Sequence, residues 1–141
     1  MKTGLLALVL LAAGAPEGEF AGKLRAAIQR YLGRPYVWGS CGMKSFDCSG
    51  FVWRVHYESG VLVKRTTARK YYFALPPAEP GKPAKFGTLV FFDDLKHIGI
   101  VNDAGSFFHA QTSKGTTMAP FDPYWRPKIT GYRRIIGAGE Q

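Results

Sequence analysis

The sequence predicts an α+β domain, with N-terminal helices packed on an antiparallel sheet of about five strands as segregated layers, and three observations predict it. Apolar residues recur at helical spacing through the first half of the chain. Short β-type runs divided by turn residues fill the second half, and between the halves an aspartate and a cysteine open an apolar helix. With 141 residues, 46% of them hydrophobic, the chain holds one domain's worth of material with ample apolar surface for a single core. No internal repeat and no low-complexity segment interrupts it.

In chain order, the stretch 1–15, MKTGLLALVLLAAGA, carries a basic Lys2, an apolar run from Leu5 to Ala13, and small residues at Ala13 and Ala15. That run is too short to cross a bilayer core of about 30 Å as a helix, so it reads as a cleaved secretory signal rather than a membrane anchor. Pro16 disfavours cleavage directly after Ala15 and leaves the bond after Ala13 as the alternative. Glu17 to Phe20 read as a linker into a single domain spanning 20–141. Ala21 to Leu32 place Leu24, Ile28 and Tyr31 or Leu32 on one helical face. Gly33-Arg34-Pro35 ends that helix, because glycine terminates helices cheaply and a residue before proline is pushed out of the helical region.

Tyr36 follows in an extended segment, and the glycines and polar residues of Gly39 to Phe46 make a loop that delivers the chain to Cys48. Asp47 is a favoured N-cap type, Phe51, Val52 and Val55 recur at helical spacing, and Gly60 is placed to end the helix. Thr66 to Phe73 read as a short helix with a threonine cap. The proline-rich run Leu75 to Pro83 reads as a stiff surface loop that can wall a cleft. Strands are expected at Thr88 to Phe92, His97 to Asn102, Ser106 to Gln111, Thr116 to Ala119 and Ile129 to Ile136, with turns at Asp93-Asp94, Asp103-Ala104-Gly105, Ser113-Lys114-Gly115 and Pro120 to Pro127. Trp53, Trp125 and the phenylalanines at 91, 92, 107 and 108 read as core or sheet face.

Cys48 sits where unpaired N–H groups and the helix macrodipole favour a thiolate, which is expected to lower its pKa below the free value of roughly 8.5. Two histidines lie downstream in strand-like surroundings, His97 in KHIGIV and His109 in SFFHAQ. A cysteine followed by histidines that meet it only in the fold is the sequence form of a Cys-His nucleophile site, with the base oriented by a third polar group. His56, on the cysteine helix itself, reads as a packed or surface histidine. Cys41, in the loop before the helix, has three readings: a bystander, a structural disulfide partner, or a reversible redox lock. A permanent bridge to Cys48 is incompatible with a nucleophilic role.

Several blocks in one order carry a family resemblance: Tyr36-Val37-Trp38-Gly39, Asp47-Cys48-Ser49-Gly50-Phe51-Val52, Arg65-Thr66-Thr67, Gly87-Thr88-Leu89-Val90-Phe91-Phe92, His97-Ile98-Gly99-Ile100 and Phe108-His109-Ala110. Together they resemble the NlpC-type cell-wall cysteine peptidases over roughly Leu24 to Ile136. The resemblance implies a papain-like fold in which the cysteine helix packs on the sheet that presents the histidine. It implies Cys48 as nucleophile, His97 as base, His109 as the third polar residue, and hydrolysis of stem peptides of bacterial peptidoglycan, typically between γ-D-glutamate and diaminopimelate or lysine, or at a neighbouring amide. Tyr36 matches a tyrosine that can lend its hydroxyl to the oxyanion. Asp47 and Ser49 match positions that recognise the substrate's free amino end or backbone, and their roles as N-cap and first-turn residue are equally open. Trp38 is a candidate cleft residue. The chain departs from the family pattern at Ser40, where a second glycine is common, and at Thr88, where an aspartate often sits.

The net charge of +9 and pI near 9.8 imply an anionic partner or surroundings. The basic residues are scattered as singles and pairs with no nucleic-acid motif, which argues against nucleic acid as the partner. An exported basic protein meeting an anionic wall agrees with the resemblance, and the location expected is periplasmic or extracellular, wall-associated, without stable membrane insertion. The chemistry requires no cofactor. A zinc site built from Cys41, Cys48, His97 and His109 is a second class, but the cysteines are too far apart for the usual close pair. A catalytically idle wall-binding or phage-tail component, and an acyltransferase working through the same thioester, are the remaining alternatives.

Overall fold

The computed structural model describes residues 18–79 and 84–135. The signal-like stretch 1–15, the prolines at 80 and 83, and Ile136 lie outside the described residues. Those residues form helices α1 (Gly18–Tyr31), α2 (Cys48–Glu58) and α3 (Ala68–Ala74), then strands β1 (Leu89–Phe92), β2 (His97–Asp103), β3 (Ser106–Gln111), β4 (Gly115–Pro120) and β5 (Ile129–Arg133), with a 3-10 turn at Arg126–Lys128. The sheet is antiparallel throughout, in the order β4-β3-β2-β1-β5. Helices on a five-stranded antiparallel sheet are the expected segregated α+β layers.

Helix α1 buries Leu24, Ala27, Ile28 and Tyr31, one stripe at helical spacing. It begins at Gly18, so the expected linker up to Phe20 is helical. Phe20 gives the reason: its ring packs on His56 of α2 with centroids 6.2 Å apart, and that apolar contact rewards one more turn. The Tyr31 hydroxyl donates to the Glu58 carboxylate and ties the end of α1 to the end of α2. Helix α3 starts at Thr67, whose hydroxyl accepts from the Lys70 N–H at 3.3 Å, as a threonine cap should. Leu75 to Glu79 run beside β5, with the Arg134 N–H donating to Pro76 O at 3.0 Å.

Alternation along the strands divides the apolar residues between two cores. Leu89, Phe91, Ile98, Ile100 and Phe108 face the helices, joined by Phe46, Phe51, Val52 and Val55. Val90, Phe92, Val101 and Phe107 face the other way and are covered by Phe121 and Trp125. Trp53 is half-buried outside both cores, with its indole N–H donating to Val63 O at 3.0 Å. The β4 end of the sheet is pinned to the turn after α1: Thr116 Oγ1 accepts from the Arg34 N–H at 2.8 Å, and the Thr116 hydroxyl donates to Tyr31 O. Gly115, at φ +73°, approaches so closely that a Cβ there would stand 2.2 Å from Arg34 O.

Candidate active site

The start of α2 is built by Asp47. Its carboxylate accepts from the Gly50 N–H at 2.6 Å, the expected N-cap bond, and from the Gly39 N–H at 3.0 Å, which holds the preceding loop against the helix. Gly50 lets that loop lie flat, since a Cβ there would sit 2.1 Å from Ser40 O. Arg65 completes the corner. Its guanidinium reaches both Asp47 oxygens at 3.1 and 3.3 Å and donates to Ser49 Oγ at 3.0 Å. Asp47 and Ser49 are buried, so this charge is paired and hydrogen-bonded as burial demands. No role of its own for Arg65 is legible in the sequence, because only the fold brings it against residues so far upstream.

Cys48 stands on the first residue of α2, half-buried and without a disulfide; Cys41 is likewise free. Burial, and then the Asp47 carboxylate, push the Cys48 thiol up, while the N–H groups of Ile98, Ser49 and Cys48 itself pull it down. This corrects the expectation of a lowered thiol pKa: the helix-start donors are present, but desolvation of the thiolate outweighs them. At neutral pH Cys48 therefore rests as a thiol. The Ile98 N–H pointing at the sulfur places that thiol at the start of β2, beside His97.

His97 and His109 meet across the sheet, Nε2 of His97 lying 2.7 Å from Nδ1 of His109. Residues 97 and 99 share a face of β2, and β3 lies close beside that face in the room left at Gly99. A Cβ there would lie 2.8 Å from Phe108 O and 3.4 Å from His109 Cβ. Trp125 closes the far side, stacked on His97 at 5.8 Å and edge-on to His109 at 5.1 Å. Burial lowers His97 to about 4, with Asp93 pulling the other way. Burial, then the neighbouring charges of His97 and Lys114, lower His109 to about 3. Both rings are neutral at pH 7.

The remaining expected site residues divide. Tyr36 is beside the thiol: burial, then the charges of Cys48 and Asp47, raise its hydroxyl pKa. Trp38 is 86% exposed, on the loop that Gly39 anchors to Asp47. Cys41 lies apart from the histidines, with its thiol against the Arg65 guanidinium and its carbonyl accepting from Arg54 at 3.1 Å. Among the described residues, no three His, Cys, Asp or Glu side chains are grouped to hold a metal ion. His56 is fully buried, with Nδ1 2.7 Å from Val52 O, and takes no part in the site. Trp125, expected as core, is also a wall of the histidine pair, a role its lone position in a proline-rich turn did not signal.

The chain is similar to several known proteins. A probable peptidoglycan endopeptidase, LytE, of Bacillus subtilis strain 168 is 32% identical over 118 residues, covering 80% of this chain and 34% of that protein. A gamma-DL-glutamyl hydrolase of the same strain is 32% identical over 115 residues, 76% of this chain and 27% of that protein. The crystal structure of a lipoprotein-like NLP/P60 family protein from Staphylococcus aureus subsp. aureus Mu50 superposes with a TM-score of 0.74 at 28% identity, covering 84% of this chain and 42% of that one. The chain thus spans only about a quarter to a third of the length of these curated relatives. Residues 33–134, which contain the cysteine corner and the histidine pair, match the NlpC/P60 family, and the chain belongs to it.

Proposed function

We propose that the protein is a cysteine endopeptidase that hydrolyses stem peptides of bacterial peptidoglycan, at the amide between γ-D-glutamate and a diamino acid. The observation that carries the reading is the 2.7 Å contact between His97 Nε2 and His109 Nδ1. With the proton on Nε2 of His97, donated to His109, the Nδ1 lone pair is left free as a base for the thiol. His97 takes the Cys48 proton as the sulfur attacks the carbonyl carbon. The oxyanion is held by the Cys48 N–H and the Tyr36 hydroxyl. His97 then gives its proton to the leaving amine, a thioester to Cys48 remains, and water, deprotonated by His97, releases the acid.

The names of the relatives and the family pattern support the substrate class, and the basic surface with its signal-like leader supports action outside the membrane, in the wall. The test is mass spectrometry of defined muropeptides incubated with the wild type and with Cys48→Ala. The reading requires that the wild type split the γ-D-glutamyl amide and the variant leave it intact. Intact muropeptides with both proteins would sink it.

A further inference from the structure

Helix α2 has a face that neither core uses. Phe51, Val52, Val55 and His56 are buried, which leaves Trp53, Arg54 and Tyr57 on the outer side of the helix. The Trp53 and Tyr57 rings stack at 5.0 Å, one turn apart, and Tyr57 is half-exposed. The Arg54 guanidinium lies 4.9 Å from the Trp53 ring and donates to Cys41 O at 3.1 Å, so the loop before α2 borders this face. On another side the Trp53 indole bond to Val63 O joins it to the turn after the helix.

Each border holds an aliphatic side chain out in solvent. Leu62 is 85% exposed at the tip of a tight turn in which the Val63 N–H donates to Val61 O at 3.1 Å. Met43 is 58% exposed, with its carbonyl accepting from Arg34 at 3.2 Å. Beside each in the chain stands an exposed lysine, Lys44 and Lys64. From Arg34 to Arg65 the sequence has five lysines and arginines but only two acids, Asp47 and Glu58. Both acids are already answered, Asp47 by Arg65 and Glu58 by Arg30 and Arg54. The face is therefore cationic, with apolar tips at its rims and aromatic rings at its centre.

We infer that this face docks peripherally on an anionic lipid surface, with Leu62 and Met43 entering the boundary between headgroups and acyl chains, and Lys44 and Lys64 meeting lipid phosphates. Stacked aromatic rings suit the headgroup level between them. The charge complements an anionic surface rather than a zwitterionic one. The aliphatic tips choose lipid over a phosphate-bearing wall polymer, which has the charge but no apolar layer to receive them. Docked in this way, α2 keeps the sheet and Trp125 turned away from the lipid.

Co-sedimentation of the full chain with vesicles tests the inference, comparing phosphatidylcholine alone with an equimolar mixture of phosphatidylcholine and phosphatidylglycerol. Every protein carries the same residues 1–15, so differences between variants report the face. The wild type should bind the mixed vesicles at least about tenfold more tightly than phosphatidylcholine. Lys44→Gln with Lys64→Gln should weaken that binding roughly 20-fold, because each basic residue at such a surface contributes about fivefold. Leu62→Ser with Met43→Ser should weaken it about tenfold at unchanged charge. Lys96→Gln with Arg126→Gln, the same loss of charge at exposed positions near Trp125, should weaken it by less than about threefold. All these side chains are exposed, and unchanged circular dichroism checks that each variant folds. No preference for the mixed vesicles, equal losses in the two charge variants, or binding untouched by the Leu62 and Met43 substitutions overturns the inference. Pelleting with purified wall polymer but not with vesicles also overturns it, and assigns the face to the wall. The vesicles hold no peptide substrate, so either result is independent of the peptidase reading.

Discussion

In the proposed mechanism His109 decides which nitrogen of His97 faces the thiol. Were its Nδ1 to accept from His97 Nε2 across their 2.7 Å contact, the proton would be kept off the nitrogen proposed as the base, while its own Nε2 is buried without a partner among the described residues. The required feature is therefore an acceptor at that point rather than an imidazole. His109→Asn, whose carbonyl can accept the same bond, should retain kcat within about tenfold, while His109→Ala should lower kcat by about 100-fold with little change in KM. Steady-state kinetics of the two variants checks this, and equal losses would show that His109 serves packing alone. The thiol itself was misread from the sequence because a macrodipole is legible in the order of residues, whereas the desolvation that outweighs it depends on how deeply the fold buries Cys48.

At the scale of elements, α2 carries a second, silent titration. His56 is fully buried, its Nδ1 bonded to Val52 O and its Nε2 unpartnered, and burial lowers its pKa to about 4. A histidine unfolded near its ordinary value of about 6.5 and folded near 4 takes up protons more readily when unfolded. Its contribution is fully present above pH 6.5 and is lost as pH falls through about 4. Denaturant titrations should show stability falling across that window, with His56 contributing roughly 3 kcal/mol of the drop beside the contributions of His97 and His109, and the drop should shrink by about that much in His56→Phe. The helices and strands themselves were legible because periods of 3.6 and 2, a threonine cap and paired turn residues are local signals. Two links were not: His97 and His109 touch across neighbouring strands, and Arg65 clamps Asp47 from another segment. Both are juxtapositions of strand register and chain path, which no window of sequence contains. The linker expectation failed at Phe20 for the same reason, since its partner His56 is distant in the chain.

Over the whole molecule, a net charge of +9 is spread across scattered lysines and arginines, and among the described residues no helix is long and apolar enough to cross a membrane. If that charge supplies wall affinity, binding to purified peptidoglycan should fall steeply between about 50 mM and 500 mM salt, because exposed charges are screened over about 10 Å at 0.1 M. Undiminished co-sedimentation at high salt would assign the affinity to the cleft instead. The proposed chemistry turns on one covalent bond, the thioester to Cys48. Intact-protein mass spectrometry after acid quench during turnover of a γ-D-glutamyl substrate should find the acyl group on Cys48 in the wild type, with no adduct and no turnover in Cys48→Ala. Turnover by Cys48→Ala, or an acyl group on any other residue, would contradict it.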